Sequence, residues 1–425
     1  MDKCKTKYLF GQARQSNSMN QPIFIDDFTY DLPAERIATV PLAQRDASKL
    51  LIYDNGRIKD DTFYHLHHYL PPHAALILNN TRVIEARMHF EKTTGGVIEI
   101  FCLEPYRPEE MEKAMQQTAF VQWRCLIGGA SKWGRGQVLQ KNIAVQNIAV
   151  MLEAVYIEKE SDSFIIEFRW LSNVPFSEVL QAAGAMPLPP YIKRKAAVED
   201  AERYQTVFAA QKGSVAAPTA ALHLTHEVLK KLAAKEIQPQ YLTLHVGAGT
   251  FKPVKTETIE AHHMHAETFS VTAGFLKRLI EAKTIIAVGT TTLRTLESLH
   301  WLGVKLLQHG VLKKFELAQW EAYELLQVEI SYKKSLQALL HYLESQALNE
   351  LQCRTSLLIK PGYKFQSAKA LVTNFHQPRS TLLLLVAAFI GADWKKVYDH
   401  ALQHDYRFLS YGDSSLLWRN ETPQS

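Results

Sequence analysis

The stretch IIAVGTTTLRTLESL, residues 285–299, decides the fold class of this chain. A short apolar run ends at Gly289, which is typical of a buried strand, and the residues after it have helical spacing of leucines. A strand that runs directly into a helix is the repeating unit of α/β folds. The alternation continues along the chain, since FSEVLQAAG, HEVLKKLAAKE and AGFLKRLIEAK are predicted helices and PQYLTLHVG is a predicted buried strand. We therefore predict a large domain of mixed α/β type.

A different pattern occupies residues 86–172. Short runs rich in Val, Ile, Phe and Trp, such as AFVQWRCLIGG and SFIIEFRW, are separated there by turn residues. Such spacing is typical of a small antiparallel barrel or sandwich, so we predict an inserted, barrel-like, all-β domain. The large domain is then discontinuous and comprises residues 22–85 and 173–425, while residues 1–21 form a flexible N-terminal extension. The alternative is that these strands elaborate the sheet of one large domain.

The composition restricts the function. The 425 residues are 47% hydrophobic and can bury a large core, and the net charge of +5 is compatible with a nucleic-acid partner but far below that of a dedicated basic binder. The four cysteines form no CxxC pair, which argues against a disulfide framework and favours a reducing cytoplasm. The longest apolar run, residues 382–392, is shorter than the roughly 20 residues that cross a bilayer. We expect a buried core helix there and no membrane association.

The start of the predicted helix after Gly289 is a candidate anion site. Thr290, Thr291 and Thr292 are placed to cap this helix and to present free backbone N–H groups to a carboxylate or phosphate. Arg294, in the first turns, adds a bidentate partner for the same anion. The alternative is a buried helix cap in which Arg294 contacts Glu297.

The segment GSVAAPTAALH, residues 213–223, packs small residues and hydroxyl groups around Pro218. Its backbone allows a ligand to approach closely, Ser214 or Thr219 offers a hydrogen bond, and His223 can titrate beside them. The alternative is a tight packing turn, which the spacing alone favours.

The segment YLTLHVGAGTFKPV, residues 241–254, is a predicted buried strand that runs into glycines. Open α/β sheets bind ligands at such carboxyl ends of strands. The third glycine of the dinucleotide fingerprint is missing, so a nicotinamide site is not favoured. The alternative for the histidine is a core residue whose hydrogen bonds are satisfied. The candidate binding residues are His245, Gly247, Gly249, Thr250 and Phe251.

The segment HHMHAE, residues 262–267, holds three imidazoles and a carboxylate. His262 and His265 suit one helical face, His265 and Glu267 suit one strand face, and no HExxH spacing is present. We therefore favour acid–base chemistry or polar contact with a substrate over a metal site. A structural role is the alternative.

The segment LVTNFHQPR, residues 371–379, stands directly before the apolar run STLLLLVAAF. Ser380 or Thr381 is the predicted N-cap of the helix that follows, and the polar side chains before it are expected to face a cleft. These candidates are Asn374, His376, Arg379 and Ser380.

Close to the end of the sequence, YRFLSYGDSSLL is a predicted strand that ends in a turn at residues 411–413. Asp413 in this turn either has a structural role or holds a ligand hydroxyl. Tyr411 is its companion in the candidate site.

The identity and order of these segments, with RDASKLL (45–51), PLPPYIKR (187–194) and ERYQTVF (202–208), resemble the S-adenosylmethionine:tRNA ribosyltransferase-isomerase family of queuosine biosynthesis. The resemblance extends from about residue 28 to residue 417. It is weakest in the β-rich part and across residues 303–353, where extra helical residues are expected. The chain departs from the family pattern at five positions, where it has Asn80 for Asp, Glu85 for Pro, Ala221 for Gly, Leu224 for Phe and Gln377 for Leu.

The resemblance implies an enzyme that transfers and isomerises the ribosyl moiety of S-adenosylmethionine. The acceptor is 7-aminomethyl-7-deazaguanine at the wobble position of tRNA, and the products are epoxyqueuosine, adenine and methionine. S-adenosylmethionine is consumed as a co-substrate, and no metal is expected. Such chemistry needs a base for the acidic proton next to sulfur and an acid for the departure of adenine. We predict that His262, His265 and Glu267 carry these steps, with His223 and His376 as rivals.

The expected partners are S-adenosylmethionine and the tRNA, and the protein is expected to be a cytoplasmic monomer. The candidate tRNA-binding residues are Arg82, Arg87, Lys193 and Arg194, for which ordinary solvated charges are the alternative. Two other classes of function are compatible with the sequence. A non-catalytic RNA-binding module needs a basic stripe with stacking aromatics, and an S-adenosylmethionine-dependent methyltransferase releases adenosylhomocysteine rather than adenine.

Overall fold

The structure, a computed structural model, describes residues 22–92, 94–160, 163–247 and 253–420. The extension predicted at residues 1–21 lies outside the described residues. In chain order the strands are β1 Lys49–Asp54, β2 Arg57–Thr62, β3 Ala75–Asn79, β4 Thr81–Val83, β5 Arg87–Glu91, β6 Val97–Arg107, β7 Phe120–Gly128, β8 Val138–Val145, β9 Ile148–Glu160, β10 Ser163–Trp170, β11 Gly184–Ala185, β12 Gln211–Ser214, β13 Pro239–Leu244, β14 Glu267–Thr272, β15 Ile285–Val288, β16 Glu316–Leu317, β17 Glu350–Thr355, β18 Ala370–Asn374 and β19 Ser414–Trp418. The helices are α1 Met111–Met115, α2 Phe176–Ala183, α3 Asp200–Arg203, α4 His226–Ala233, α5 Ala273–Glu281, α6 Thr290–His309, α7 Glu321–Glu324, α8 Tyr332–Ser345, α9 Thr381–Ile390 and α10 Trp394–Gln403.

Ten strands form one mixed sheet in the order β16-β17-β14-β13-β3-β15-β18-β19-β1-β2. Its centre is parallel, because β13 pairs with β3, β3 with β15 and β15 with β18 in the same direction. The carboxyl ends of these four strands therefore lie along one edge. The predicted mixed α/β class is confirmed.

Helices cover both faces of this sheet. Successive residues of a strand point to opposite faces, and Ile286 and Ala287 of β15 accordingly belong to two different hydrophobic clusters. The larger cluster includes side chains of α5, α6, α8, α9 and α10, whereas the smaller includes those of α4. A strand buried on both faces reads as a continuous apolar run, which is why 285–288 shows no polar alternation.

The strands between Arg87 and Trp170, together with β11, form a second, antiparallel sheet in the order β11-β5-β6-β7-β10-β9-β8. This sheet curls, since β5 also contacts β8, and it encloses a hydrophobic cluster of its own. Helix α2 and strand β11, which follow the predicted boundary at residue 172, pack on this sheet, and the Phe176 ring lies 5.6 Å from the Trp123 ring. The division into a large and an inserted domain stays a prediction.

The region 303–353 carries helix α8, as the amphipathic spacing of residues 331–348 predicts. The Ser331 hydroxyl accepts a hydrogen bond from the backbone N–H of Lys334 and begins the helix. Helix α8 packs against α5 and α6. The contact with α6 is close at Gly303, where an added Cβ would lie 2.2 Å from the carbonyl oxygen of Ser335.

The apolar run 382–392 lies in and just after α9, most of whose residues are buried, as predicted for a core helix. Within the described ranges, no helix is both long enough and apolar enough to cross a membrane.

We predict that Gly303→Ala destabilises the protein by about 1–3 kcal/mol, because the new methyl group overlaps backbone that cannot move without separating α6 from α8. Urea unfolding measures the change. Gly274→Ala is the matched control, since this helical glycine faces only the ends of flexible side chains and the substitution favours helix by about 1 kcal/mol. Equal stabilities of the two variants would contradict the prediction.

Candidate active site

The carboxyl ends of the parallel strands open into a pocket. Val246 follows β13, Gly289 follows β15, and Thr373 and Asn374 end β18, and all four line this pocket. Its empty volume is about 640 Å³, including the space open to solvent. The position is the one at which open α/β sheets bind ligands.

Three sequence segments with candidate binding residues meet in this pocket, at the 3-10 turn after β12, at the start of α6 and between β18 and α9. Much of the remaining lining is apolar, including Ala217, Phe375 and Leu382. The candidates that line it are Pro218, Thr219, Thr290, Thr291, Asn374, His376 and Ser380.

Gly289 determines how α6 begins. It is the N-cap residue, its φ is +97°, and glycine adopts such a conformation without steric cost. The N-cap has no side-chain hydrogen bond, and Thr290, Thr291 and Thr292 form the first turn. The prediction that a threonine side chain caps this helix is therefore wrong, because the glycine precedes the threonines. The first backbone N–H groups of a helix have no partner within it, so this end can bind an anion.

Asn374 presents a hydrogen-bond donor at the pocket. Its side-chain oxygen accepts a hydrogen bond of 2.9 Å from the Thr219 hydroxyl, which fixes the orientation of the amide. The residue is only 4% exposed, and its Nδ2 atom has no hydrogen-bond partner among the described residues. A buried donor without an acceptor costs free energy. We therefore expect a ligand atom or a water to accept from this amide.

His376 is buried beside the same pocket. Its Nδ1 lies 3.3 Å from the Tyr398 hydroxyl and its Nε2 lies 3.3 Å from the Thr373 hydroxyl. Burial lowers the pKa of this imidazole to about 3. It is consequently neutral at neutral pH and is a weak base there.

Glu267 and Arg294 form a buried ion pair beside the end of β13. Their side chains are 5% and 7% exposed, and Glu267 also accepts a hydrogen bond of 3.2 Å from the Gly247 N–H. Burial lowers the pKa of Arg294 to about 10, so it stays charged at neutral pH. The alternative contact with Glu297 is wrong, because Glu297 accepts a hydrogen bond from the Tyr363 hydroxyl instead. Neither member of the pair lines the pocket.

The histidines of HHMHAE are spread along extended chain between the 3-10 turn Ile259–Ala261 and β14. His262 is half-buried and His265 is exposed, and neither lines the pocket. Burial is the main cause that lowers the pKa of His262, and the neighbouring His265 and His263 lower it further. Within the described residues, these histidines do not form a metal-ligand cluster. Their role in proton transfer stays a prediction.

His223 lies in a second, smaller cavity, with about 270 Å³ of empty volume, that Arg45, Arg203 and Arg407 also line. Its Nδ1 is 3.3 Å from the Arg45 carbonyl oxygen, and burial lowers the pKa of His223 to about 4. Thr219 and His223, which are close in the sequence segment 213–223, thus line two different cavities.

Two buried polar side chains hold the strand ends behind the pocket. The Asn79 amide donates to the Leu244 carbonyl oxygen and accepts from the Leu244 N–H, so it continues the pairing of β3 with β13. The Ser214 hydroxyl accepts from the Val246 N–H at 2.9 Å and joins the GSVAAP segment to the same strand end. Ser214 does not line the pocket.

His245 packs against the backbone of Gly213. An added Cβ at Gly213, whose φ is +148°, would lie 2.8 Å from the imidazole. The Nδ1 atom of His245 is 2.9 Å from the Thr81 hydroxyl, and burial lowers the pKa of the ring to about 4. This agrees with the alternative of a core histidine.

The turn at residues 411–413 precedes strand β19, which corrects the prediction that it ends a strand. The Asp413 carboxylate accepts from the backbone N–H groups of Lys49 and Arg407 and so holds the turn against β1. The Tyr411 hydroxyl donates to Asp200. Neither Tyr411 nor Asp413 lines the larger pocket.

Ser380 accepts a hydrogen bond from the Leu383 N–H, which confirms it as the N-cap of α9. Arg379 does not line the pocket but forms an ion pair of 2.7 Å with Asp26, and its side chain is 53% exposed. Three candidates lie outside the described residues, namely Gly249, Thr250 and Phe251.

The candidate tRNA-binding residues differ in their surroundings. Arg87 pairs with Glu99 at 2.6 Å, and Arg194 pairs with Asp200 at 2.6 and 2.8 Å. Arg82 and Lys193 are exposed.

Sequence reasoning missed several residues of the pocket, including Tyr191, Thr373 and Ser410. The Tyr191 and Ser410 hydroxyl groups hydrogen-bond each other although the residues are far apart in sequence. Tyr191 lies within PLPPYIKR, and an aromatic among prolines was the signal that could have identified it.

A sequence profile of the family described as "Queuosine biosynthesis protein" matches residues 25–417. This chain belongs to the queuosine biosynthesis protein family. The predicted resemblance is thereby confirmed. The crystal structure of an S-adenosylmethionine tRNA ribosyltransferase from Thermotoga maritima is similar, with 27% sequence identity over 92% of this chain and 99% of that chain and a TM-score of 0.43.

Acid should lower the free energy of unfolding of this protein through buried histidines such as His376. The pKa of His376 is about 3 in the folded protein against an ordinary value of 6.5, so the unfolded chain binds more protons between these values. The free energy of unfolding therefore falls as the pH decreases below 6.5, by about 1 kcal/mol per pH unit for such a histidine.

We predict that His376→Gln makes the pH dependence shallower by about that amount, in urea unfolding between about pH 6.5 and 4.5. His309→Gln is the comparison variant, because it removes an exposed imidazole instead of a buried one. Parallel slopes for wild type and His376→Gln would show that the ring is not held neutral.

Proposed function

We propose that this protein is an S-adenosylmethionine:tRNA ribosyltransferase-isomerase. It moves the ribosyl group of S-adenosylmethionine to 7-aminomethyl-7-deazaguanine at the wobble position of tRNA and forms epoxyqueuosine, adenine and methionine. Membership of the queuosine biosynthesis family supports the proposal. The observation that carries it is the pocket at the strand ends, where separate candidate segments meet. Its expected location in the cytoplasm and its expected monomeric state stay predictions.

The start of α6 suits the methionine carboxylate of the co-substrate. The free backbone N–H groups of Thr290 and Thr291 and the dipole of a 20-residue helix both favour an anion. Asn374 adds the Nδ2 donor, which Thr219 orients. Arg294, one turn further along α6, is paired with Glu267 and so contributes no free positive charge to this anion site.

The apolar part of the pocket suits the adenosyl group and the sulfonium. Among the described residues, no carboxylate lines the pocket, and the aromatic rings available to a cation are those of Tyr191 and Phe375. Loss of the proton next to sulfur converts a cation into a neutral ylide. A poorly solvated site disfavours the cation and so makes this proton more acidic.

His376 is the first candidate for the base. It is the predicted catalytic residue that lines the pocket within the described ranges, and it is neutral before the reaction. Once it has taken the proton it becomes a strong acid, able to protonate the departing adenine. His262, His265, Glu267 and His223 remain the rival assignments.

The surface beside Arg82 is proposed to face the tRNA. Arg82 and Lys212 are exposed and lie next to each other in register on β4 and β12. With Lys193 they offer positive charge that no carboxylate of the described residues pairs with, and phosphate contacts of such residues give salt-dependent affinity. We also propose that residues 86–172 form an inserted domain that holds the anticodon arm.

The test of the function is incubation of the purified protein with S-adenosylmethionine and tRNA carrying 7-aminomethyl-7-deazaguanine. Adenine release is followed together with the mass of the modified nucleoside. Appearance of both establishes the transfer. Adenosylhomocysteine instead of adenine indicates a methyltransferase, and neither product with intact tRNA binding indicates a binding module.

We predict that Asn374→Asp weakens the binding of S-adenosylmethionine by about 10- to 100-fold, because an acceptor replaces the donor that faces the substrate carboxylate. Isothermal titration without tRNA measures the affinity. Thr219→Val removes the orienting hydroxyl and should have a smaller effect, while Thr219→Ser keeps it and serves as the control. Wild-type affinity of Asn374→Asp would place the carboxylate elsewhere.

We predict that His376→Gln lowers kcat by about 10²- to 10⁴-fold while the affinity for S-adenosylmethionine changes little. Rapid quench of a single turnover separates chemistry from binding. The comparison is a variant with His262→Gln, His265→Gln and Glu267→Gln together. Full turnover by this triple variant would contradict the assignment of proton transfer to the segment HHMHAE. Full turnover by His376→Gln would contradict the assignment of proton transfer to His376.

A further inference from the structure

Three potential metal ligands meet on the surface away from the pocket. Asp60 lies on β2, His400 lies on α10, and His404 follows the last residue of that helix. Their ligand atoms all lie within 4.8 Å of one another. None of the three lines either cavity described above.

The two imidazoles stand side by side. His400 and His404 are four residues apart, which places them on one helical face, and their rings stack with centroids 3.8 Å apart and an interplanar angle of 14°. The Nε2 atom of His400 is 2.9 and 3.0 Å from the two oxygens of the Asp60 carboxylate. The stack on His400 thus brings the second ring next to the same carboxylate.

The surroundings orient these groups as in known metal sites. The Nδ1 atom of His404 is 2.9 Å from the carbonyl oxygen of His400, so Nδ1 carries the proton and the lone pair of Nε2 is available. The Tyr406 hydroxyl donates to Asp60 at 2.5 Å and fixes the carboxylate. Metal-binding histidines typically donate their other N–H to a carbonyl in this way, and metal-binding carboxylates are typically hydrogen-bonded.

We infer that Asp60, His400 and His404 form a binding site for a divalent transition-metal ion, with Zn²⁺, which two imidazoles and one carboxylate bind in known sites, as the ion to test. Three protein ligands leave a fourth position for water. The bound ion joins the edge strand β2 to the end of α10 and thereby stabilises the folded chain. The inference does not rest on the proposed function, and the expectation that the transfer reaction needs no metal concerns the pocket, not this surface.

The test uses the full-length protein without a histidine tag, treated with a chelator that is then removed. ZnCl₂ is titrated by calorimetry, and the melting temperature is recorded with and without the ion. His404→Ala is the main variant, because this side chain is exposed and its loss leaves the fold intact. Asp60→Asn is the second variant. His309→Ala is the matched control, because His309 is an exposed histidine that does not belong to the proposed site.

We expect one equivalent of Zn²⁺ to bind to the wild type and to the control, and to raise the melting temperature of both. In His404→Ala and Asp60→Asn the affinity falls at least about tenfold, since even the loss of a residue that only orients a ligand costs about 10- to 100-fold. The zinc-dependent rise in melting temperature is smaller in both variants than in the wild type. The protein has 17 histidines, so other sites for zinc are conceivable. Equal binding by the wild type and both variants would place the ion elsewhere and overturn the inference. Anomalous scattering from zinc at another site in a crystal would have the same meaning.

Discussion

The parallel pairing of β13, β3, β15 and β18 is the constraint on which the rest of the structure depends. Because these strands run in the same direction, the segments that follow them emerge at one edge of the sheet. The helix start at Thr290, the turn at Pro218 and the loop at His376 are distant in sequence but meet there. The turn at Pro218 follows β12, which pairs with β4 outside this sheet, and the Ser214 hydroxyl joins it to Val246 after β13. Strand direction thus places two of the three segments, and this hydrogen bond helps to place the third.

Burial decides what the pocket can do chemically. His376 is neutral because its surroundings disfavour the imidazolium, and Asn374 presents a donor because Thr219 occupies its acceptor. The same poor solvation that keeps His376 neutral would increase the acidity of a proton beside a sulfonium. Burial therefore has opposite effects on the two partners, because it makes the proton next to sulfur more acidic and makes His376 a weaker base.

The buried pair of Glu267 and Arg294 shows how a candidate can be reassigned. Both are polar residues at the ends of predicted elements, which suggested direct contact with a substrate. In the fold they neutralise each other, and a buried guanidinium without this carboxylate would be costly. Asp413 is a similar case, since its carboxylate is used by two backbone N–H groups. The surface group of Asp60, His400 and His404 was missed for the opposite reason, because β2 and α10 are far apart in sequence and meet only in the tertiary structure.

The sequence by itself determined the mixed α/β class, the positions of α6, α8 and α9 and the family, because helical spacing, apolar runs and local motifs are properties of neighbouring residues. It restricted the N-cap of α9 to Ser380 or Thr381, and the structure identifies Ser380. Only the tertiary structure decided that Asn374 and Thr219 share a hydrogen bond, that Tyr191 reaches Ser410, and that His223 lies in another cavity from its neighbour Thr219. These relations depend on strand order and on which side chain occupies which side of the chain. Neither the strand order nor the side on which a side chain lies leaves a periodic signal in a single sequence. The contacts join residues that are more than a hundred positions apart, and neighbouring residues can point in different directions.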